Sequence, residues 1–282
     1  MRTLRPYFAD NRCRICDCTV GGTFMWRDYH KTQYAIEGTV LYLKVVYPEE
    51  AFTPPRHIEH DKSSYDRIIE YCDSTGSPKR FCSVSASILQ DLLELYPNAA
   101  VRTSRDCSDY LYSMDDIAFL AGRRYAGQRN HINRFMREHP MWSFERITTD
   151  RIPAVKEFYK RLSAENVKDS EAYNEGNSKS LEALDFPDAY ALDGGALYVK
   201  GEVVGASLGE IVDDTLFIHS EKADTKFHGS YPMLVNQFAK MLASEDVKYV
   251  NREEDDGDEG LRTSKLSYHP IELLAKYTVE LT

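Results

Sequence analysis

Between Gln33 and Tyr47, apolar and polar side chains alternate on either side of Glu37-Gly38, the pattern of two strands joined by a tight turn. Pro54-Pro55 ends that unit, because two prolines cannot continue a hydrogen-bonded ladder. From Asp61 to Cys72 the period changes to that of a helix, with Tyr65, Ile68, Ile69 and Cys72 on one face. Arg80–Val84 reads as a strand, and Ser85 caps a helix that runs to Tyr96 and stops at Pro97-Asn98. In the stretch from Asp115 to His139, Ile132, Phe135 and Met136 share one helical face, while Asn130, Arg134 and Arg137 share another. Pro140 breaks that helix, so the chain is expected to divide into 1–139 and 140–282.

The second half opens with a strand, Trp142–Ile147, and an amphipathic helix from Asp150 to Leu162. The polar run Ala164–Ser178 is expected to be a loop before a short helix at Lys179–Leu184. Three strands follow as a meander: Ala196–Lys200, Val203–Val212 and Thr215–Ser220. Pro232 suits the first turn of a helix ending near Ala243, then come a strand at Lys248–Asn251 and a helix at Leu261–Leu266. A terminal strand, Tyr277–Leu281, is expected to complete the second sheet. This order resembles that of a GNAT (acyl-CoA N-acyltransferase) domain, and the first half gives a shorter version of it. The expected fold is α+β, with tandem GNAT-like domains whose mixed sheets are flanked by helices.

Composition narrows the class. At 42% hydrophobic and 28% charged over 282 residues, the chain is that of a folded protein. Its net charge of −10 argues against wholesale wrapping of nucleic acid or adhesion to anionic lipid. No apolar run reaches the roughly 18 residues of a membrane span. The Met1–Asp10 segment carries arginines without an apolar stretch, so a cytoplasmic protein is expected. Cys13, Cys16 and Cys18 form a CxxCxC pattern without a nearby fourth ligand, so thiols are expected there and not a metal. The acidic tract Glu253–Glu259 lacks the alternating ligand spacing of a calcium loop.

Several motifs converge on one family. Asn251-Arg252-Glu253-Glu254-Asp255, Gly260-Leu261-Arg262, Lys265, Ser267-Tyr268, Pro270 and Lys276-Tyr277 resemble the closing motif of the phosphatidylglycerol lysyltransferase C-terminal family. The stretch Gly122–Phe135, with Arg129-Asn130-His131-Ile132-Asn133, resembles the basic helix joining the two halves there, and Asp109-Tyr110-Leu111-Tyr112 also fits. The similarity is greatest to the branch without a membrane anchor. It implies paired GNAT folds related to Fem-type transferases, which take an amino acid from aminoacyl-tRNA. The chain departs from the membrane enzymes in its negative charge, in having no apolar span, and in Ser220, where an aliphatic residue is expected.

An acyl-CoA site needs backbone N–H groups around a pyrophosphate, supplied by R/Q-x-x-G-x-G/A at a helix start. Here only Lys226 and Gly229 fit, and Tyr231 replaces the last small residue. Lys226, His228 and Gly229, with Arg129 and Arg134, are the candidate contacts to donor phosphates, whether of acyl-CoA or of aminoacyl-tRNA. The cleft is expected where two parallel strands part, between His219-Ser220-Glu221-Lys222 and Asn251–Asp255. His219 or Glu221 would serve as base, Asn251 or Lys265 as oxyanion donor, and Glu253 as a further catalytic group. Lys222, Arg252, Glu254, Asp255 and Tyr268 would bind substrate, although an ion-pair network bracing the strand ends accounts for the same charges. The expected activity is acyl or aminoacyl transfer to a small-molecule or peptide acceptor, with tRNA as a partner if it carries the donor. The alternative is a non-catalytic ligand-binding or regulatory module on the same scaffold.

Overall fold

Thr19 starts α1 (Val20–Met25), its hydroxyl accepting from the Gly22 N–H at 2.9 Å. The expected hairpin forms as β1 (Gln33–Glu37) and β2 (Val40–Val45), followed by the short β3 (Ala51–Phe52) and β4 (Arg56–His57) on either side of the two prolines. Then come α2 (Ser64–Thr75), β5 (Arg80–Val84), α3 (Ala86–Leu95) and β6 (Ala100–Thr103). The computed structural model describes residues 4–8, 13–58, 63–165, 171–190 and 192–282. The expected helix start at Asp61, parts of the Met1–Asp10 segment and the stretch 166–170 of the expected loop lie outside the described residues.

The second run of elements is β7 (Asp109–Ser113), α4 (Met114–Phe119), α5 (Ala126–Glu138), β8 (Trp142–Arg146), α6 (Ile152–Glu165), α7 (Glu171–Asp185) and α8 (Pro187–Tyr190). It continues with β9 (Asp193–Val199), β10 (Glu202–Val212), β11 (Thr215–Ala223), α9 (Ser230–Leu242), β12 (Tyr249–Asn251), α10 (Glu259–Leu266) and β13 (Glu272–Leu274), before the last strand, β14 (Tyr277–Glu280). The polar run expected to be a loop is therefore helical from Glu171. Its charges are used at helical spacing, Lys179 pairing with Glu182 at 2.8 Å and lying 3.8 Å from Glu175.

Two compact units result, and neither is a continuous stretch of chain. The first comprises Met1–Tyr110, Glu253–Arg262 and Leu273–Thr282, the second Leu111–Arg252 and Thr263–Glu272. The expected division at residue 140 is thus replaced by an interleaved one. In the first unit the strand order is β1-β2-β3-β5-β14-β6, so β14 lies between β5 and β6 instead of completing the second sheet. Phe52, Ile68, Phe81, Val84, Leu92 and Val279 form the core of this unit, each worth about 1.5–3 kcal/mol when fully buried.

The second sheet runs β13-β7-β12-β11-β10-β9-β8, with β7 beside β12 in the place expected for the terminal strand. The meander is antiparallel, whereas β11 and β12 are parallel. Their pairing ends at Phe217 and Asn251, although β11 continues to Ala223. This is the expected parting of two parallel strands. On the other edge of β11, Leu208 faces Ser220 and Gly209 faces Ile218, leaving His219 unmatched as a bulge. Behind the sheet, α9 buries Met233, Leu234, Val235, Phe238, Ala239 and Leu242. Among the described residues no helix is long and apolar enough to cross a membrane.

Candidate functional site

Beyond the last β11–β12 pair, the chain places Glu221 and Arg252 on the two diverging strands. Arg252 Nη2 and Nε donate to Glu221 Oε2 at 2.6 and 3.1 Å. The guanidinium also lies over Tyr268, 4.8 Å from the ring centre, and 5.8 Å from that of Tyr112. Burial opposes its charge, but Glu221 and the tyrosines outweigh that and keep Arg252 ionised. Burial pushes the Tyr268 phenol up to about 12, so it stays neutral. Lys265 Nζ donates to the Arg252 carbonyl at 2.5 Å, and Tyr112 donates to the Lys265 carbonyl at 2.9 Å. Lys265 therefore holds the backbone at the end of β12 and is itself buried.

The pair is only half used. Glu221 Oε1 and Arg252 Nη1 are buried and have no hydrogen-bond partner among the described residues, and the same holds for Ser207 Oγ. Ser207 is the β10 residue directly opposite Glu221, so its side chain shares the face of that carboxylate. An unmet buried polar atom costs about 1–3 kcal/mol, so the gathering of three of them at one strand parting makes it the candidate site.

The other expected residues go elsewhere. His219 is held by Glu210 on β10 at 2.9 Å, with its side chain 1% exposed, and Asn251 is fully buried within β12. Lys222 is the penultimate residue of β11 and is half-buried. Glu253, Glu254 and Asp255 belong to the first unit. Glu253 has a left-handed backbone, φ 56°, and its carbonyl accepts from the Tyr110 N–H at 3.2 Å. Asp255 takes hydrogen bonds from Arg262 at 2.7 Å and Tyr110 at 2.5 Å, and Arg105 lies 3.1 Å away. Arg262 above all holds its carboxyl well below the usual range.

Glu254 instead joins a buried cluster in the first unit. Lys276 Nζ lies 2.6 Å from Asp17, 2.9 Å from Asp109, 2.9 Å from Glu254 and 3.2 Å from Cys16 Sγ. The Cys16 N–H donates to Asp109 at 2.6 Å, and Ser83 Oγ to Asp17 at 2.6 Å. Burial, with Glu254 and Asp17 nearby, pushes the Asp109 carboxyl up to about 7 against the pull of Lys276. Cys16, Asp109 and Glu254 bring three potential ligand atoms within 4.8 Å of one another. A cation would fit that spacing, but the Lys276 ammonium already supplies the positive charge there.

At the start of α9 the expected donor loop is sparingly equipped. The Ser230 N–H donates to Phe227, that of Met233 to Gly229, and Pro232 has none. Gly229 has φ 85°, and a Cβ there would come 2.4 Å from the His131 carbonyl, so glycine is required by packing on α5. Lys226 pairs with Glu165 at 2.6 Å, and His228 meets His131 at 3.1 Å. On α5, Arg129 donates to the Gly122 carbonyl at 2.6 Å and Arg134 to Glu138 at 2.7 Å.

The family model described as phosphatidylglycerol lysyltransferase, C-terminal, matches residues 13–280. The chain belongs to this family. A conserved protein of unknown function from Bacteroides thetaiotaomicron VPI-5482 has a similar structure, with a TM-score of 0.92 at 31% identity over 100% of this chain and 96% of that one. L-PGS from Bacillus licheniformis matches with a TM-score of 0.68 at 13% identity, over 99% and 91% of the two chains, which shows a shared fold. A Mycoplasmoides gallisepticum protein described as uncharacterised is 24% identical over 176 residues, 61% of this chain and 56% of its own length. The matched part thus spans little more than half of that relative.

Within the family motif, Arg252, Lys265 and Tyr268 meet in one unit while Glu254 and Lys276 meet in the other. Sequence reasoning missed Ser207 and gave Tyr112, quoted in the family motif, no role in a site; both identities are ordinary for strands. Asp109 was quoted in the family motif but given no role in a site, although an acidic residue opening an apolar strand was a usable signal. Ser220 finds its reason here too. Its hydroxyl bonds Tyr159 of α6 at 2.9 Å and Ser180 of α7 at 3.1 Å, where an aliphatic side chain would leave both without that partner.

Proposed function

We propose that the chain transfers an aminoacyl group from an ester donor to an amine or hydroxyl acceptor, at the parting of β11 and β12. The observation that carries this reading is the half-used Glu221–Arg252 pair, with one buried acceptor and one buried donor atom unmet beside Ser207. An α-aminoacyl ester matches those atoms. Its ammonium would donate to Glu221 Oε1, and Arg252 Nη1 would face the ester carbonyl oxygen, where negative charge develops on attack. The acceptor then adds to the carbonyl carbon, the tetrahedral oxyanion collapses, and the donor alcohol leaves with the proton given up by the acceptor. Ser207 would orient the ester. Lys265, Tyr112 and Tyr268 hold the guanidinium in place, so they act through Arg252.

Aminoacyl-tRNA is favoured over acyl-CoA as donor because the start of α9 offers few N–H groups for a pyrophosphate. Membership in a family named for lysyl transfer supports an aminoacyl group as cargo. The test is incubation with a panel of charged tRNAs and, in parallel, acyl-CoAs, following loss of the ester or thioester. Deacylation that depends on an added acceptor and vanishes in R252A supports the reading. Turnover of acyl-CoA alone, or binding of donors without turnover, overturns it in favour of an acetyltransferase or a non-catalytic module.

A further inference from the structure

One free edge of the first sheet is β1, which pairs only with β2. Its register is regular, five pairs from Gln33–Lys44 to Glu37–Val40 without a bulge. The Glu37–Val40 pair closes a two-residue turn, so it is a hydrogen-bonded pair, and alternation makes Ala35 and Gln33 the next ones. Tyr34 and Ile36 therefore turn their N–H and C=O groups away from β2. Among the described residues nothing takes up those groups. Their side chains are equally open. Tyr34 stands opposite Leu43 and Ile36 opposite Leu41, all on one face of the sheet. Leu41 and Leu43 are buried in a core with Leu4, Tyr7, Phe8 and Val20. One strand further out that cover ends, and Tyr34 is 67% and Ile36 42% exposed. Edges of this kind are commonly blunted by proline, by lysine within the strand or by a bulge. Gln33-Tyr34-Ala35-Ile36-Glu37 has none of these.

The edge complements itself. In an antiparallel pair of two β1 strands about a two-fold axis at Ala35, Tyr34 faces the partner's Ile36, and both turn their open backbone groups to the seam. Gln33 falls opposite the partner's Glu37, amide against carboxylate, and no like charges meet. The neighbouring registers fit less well. An axis at Tyr34 would pair Ile36 with the partner's Thr32, and in this chain the Thr32 N–H already donates to the Arg27 carbonyl at 2.8 Å. An axis at Ile36 would set Tyr34 against the partner's Gly38, a turn residue with φ 57°.

We propose that β1 is the surface through which two copies of this chain associate, joining their first sheets edge to edge. The seam consists of backbone hydrogen bonds at Tyr34 and Ile36 and of an apolar cluster made by the same two side chains from each copy. That cluster carries the face of Leu41 and Leu43 across the axis, so Tyr34 and Ile36 gain the neighbours they lack in the single chain. The seam is short, and the dimer is of the weak class that separates on dilution.

The experiment measures the mass of the full chain by analytical ultracentrifugation across a range of concentrations and, separately, oxidises A35C. Residues facing each other at the axis lie about 4.5 Å apart between Cα atoms, within the reach of a disulfide. A35C should therefore link two chains through position 35, as mapped by mass, whereas Q33C, away from the axis, should not link to itself. I36P should fold and stay monomeric, because the N–H it removes points away from β2. Y34K/I36K leaves the backbone intact, sets lysines against one another across the seam and should also stay monomeric. Urea melts check that both variants fold, and A35C tests the axis without either of them. A wild-type chain that is monomeric at every concentration, A35C linked only through the native cysteines, or dimers that persist in both I36P and Y34K/I36K would overturn the proposal.

Discussion

Arg252 donates twice to one oxygen of Glu221, Oε2, at 2.6 and 3.1 Å, while the other oxygen and the Arg252 Nη1 are buried without a hydrogen-bond partner among the described residues. A pair serving stability alone would gain from a fork-to-fork arrangement, two parallel bonds to two oxygens. The one-sided geometry leaves one donor and one acceptor atom unused among the described residues. Removing one member of such a buried pair strands the other, which costs about 3–5 kcal/mol. The informative substitutions are therefore the conservative ones.

In R252K the charge survives and the fork does not, because an ammonium is a compact point donor. Turnover of the aminoacyl ester should fall by about 10²–10³-fold, the effect of losing one oxyanion donor. E221Q should chiefly raise KM, since the ammonium loses its anionic partner while the oxyanion contact stays. Steady-state kinetics with urea melts alongside separate these effects from unfolding, and unchanged kinetics in both variants would refute the site.

Lys276 faces Asp17, Asp109 and Glu254. K276A should lose about 3–5 kcal/mol in urea unfolding, because the carboxylates are then uncompensated. The same variant should acquire a cation site at Cys16, Asp109 and Glu254, whose potential ligand atoms lie within 4.8 Å of one another. Zinc should raise its melting temperature and leave that of the wild type unchanged. Equal shifts in both proteins would show that Lys276 does not fill that place.

Asp109 sets a pH dependence of unusual sign. Its carboxyl moves from an ordinary 3.8 up to about 7. Between those values the unfolded chain has released a proton that the folded one retains, so stability falls as pH rises through the window. Asp17 and Glu254 are held below their ordinary values, where Lys276 and hydrogen bonds outweigh burial, and they lose stabilisation on acidification instead. D109N should flatten the decline toward pH 7 and leave the acid limb. Melts across that range check it, and an unchanged neutral limb would contradict it.

S220A should remove the shared partner of Tyr159 and Ser180 and cost about 1–3 kcal/mol, read from chemical denaturation. S220V, the aliphatic form expected from relatives, should cost at least as much.

The meander, the parallel pair after it and their parting beyond Phe217 and Asn251 were legible because each rests on local periodicity and turn residues. Glu221 and Arg252 followed from that parting, and Lys265 and Tyr268 from the family motif and the helix after it. Glu254 and Asp255 are adjacent in sequence to Arg252, while their partners Asp109, Lys276 and Arg105 are remote in the chain. No local pattern reports that adjacency. The same blindness hid the position of β14. Gly229 was read as room for a phosphate, yet the atom it makes room for is the His131 carbonyl. Composition suggested a loop at 171–178, where paired charges at helical spacing in fact sustain α7.

The place of β14 between β5 and β6 has a consequence for synthesis. Arg80 and Glu280, paired at 3.1 Å across this sheet, are 200 residues apart in the chain. As the polypeptide leaves the ribosome, β5 and β6 emerge early with a strand-wide gap between them, their ladder groups exposed to any passing edge. Only after the whole second unit has been made does the filling strand arrive. The first unit is thus begun first and finished last, and its cohesion depends on a segment that a C-terminal truncation of a few residues would remove.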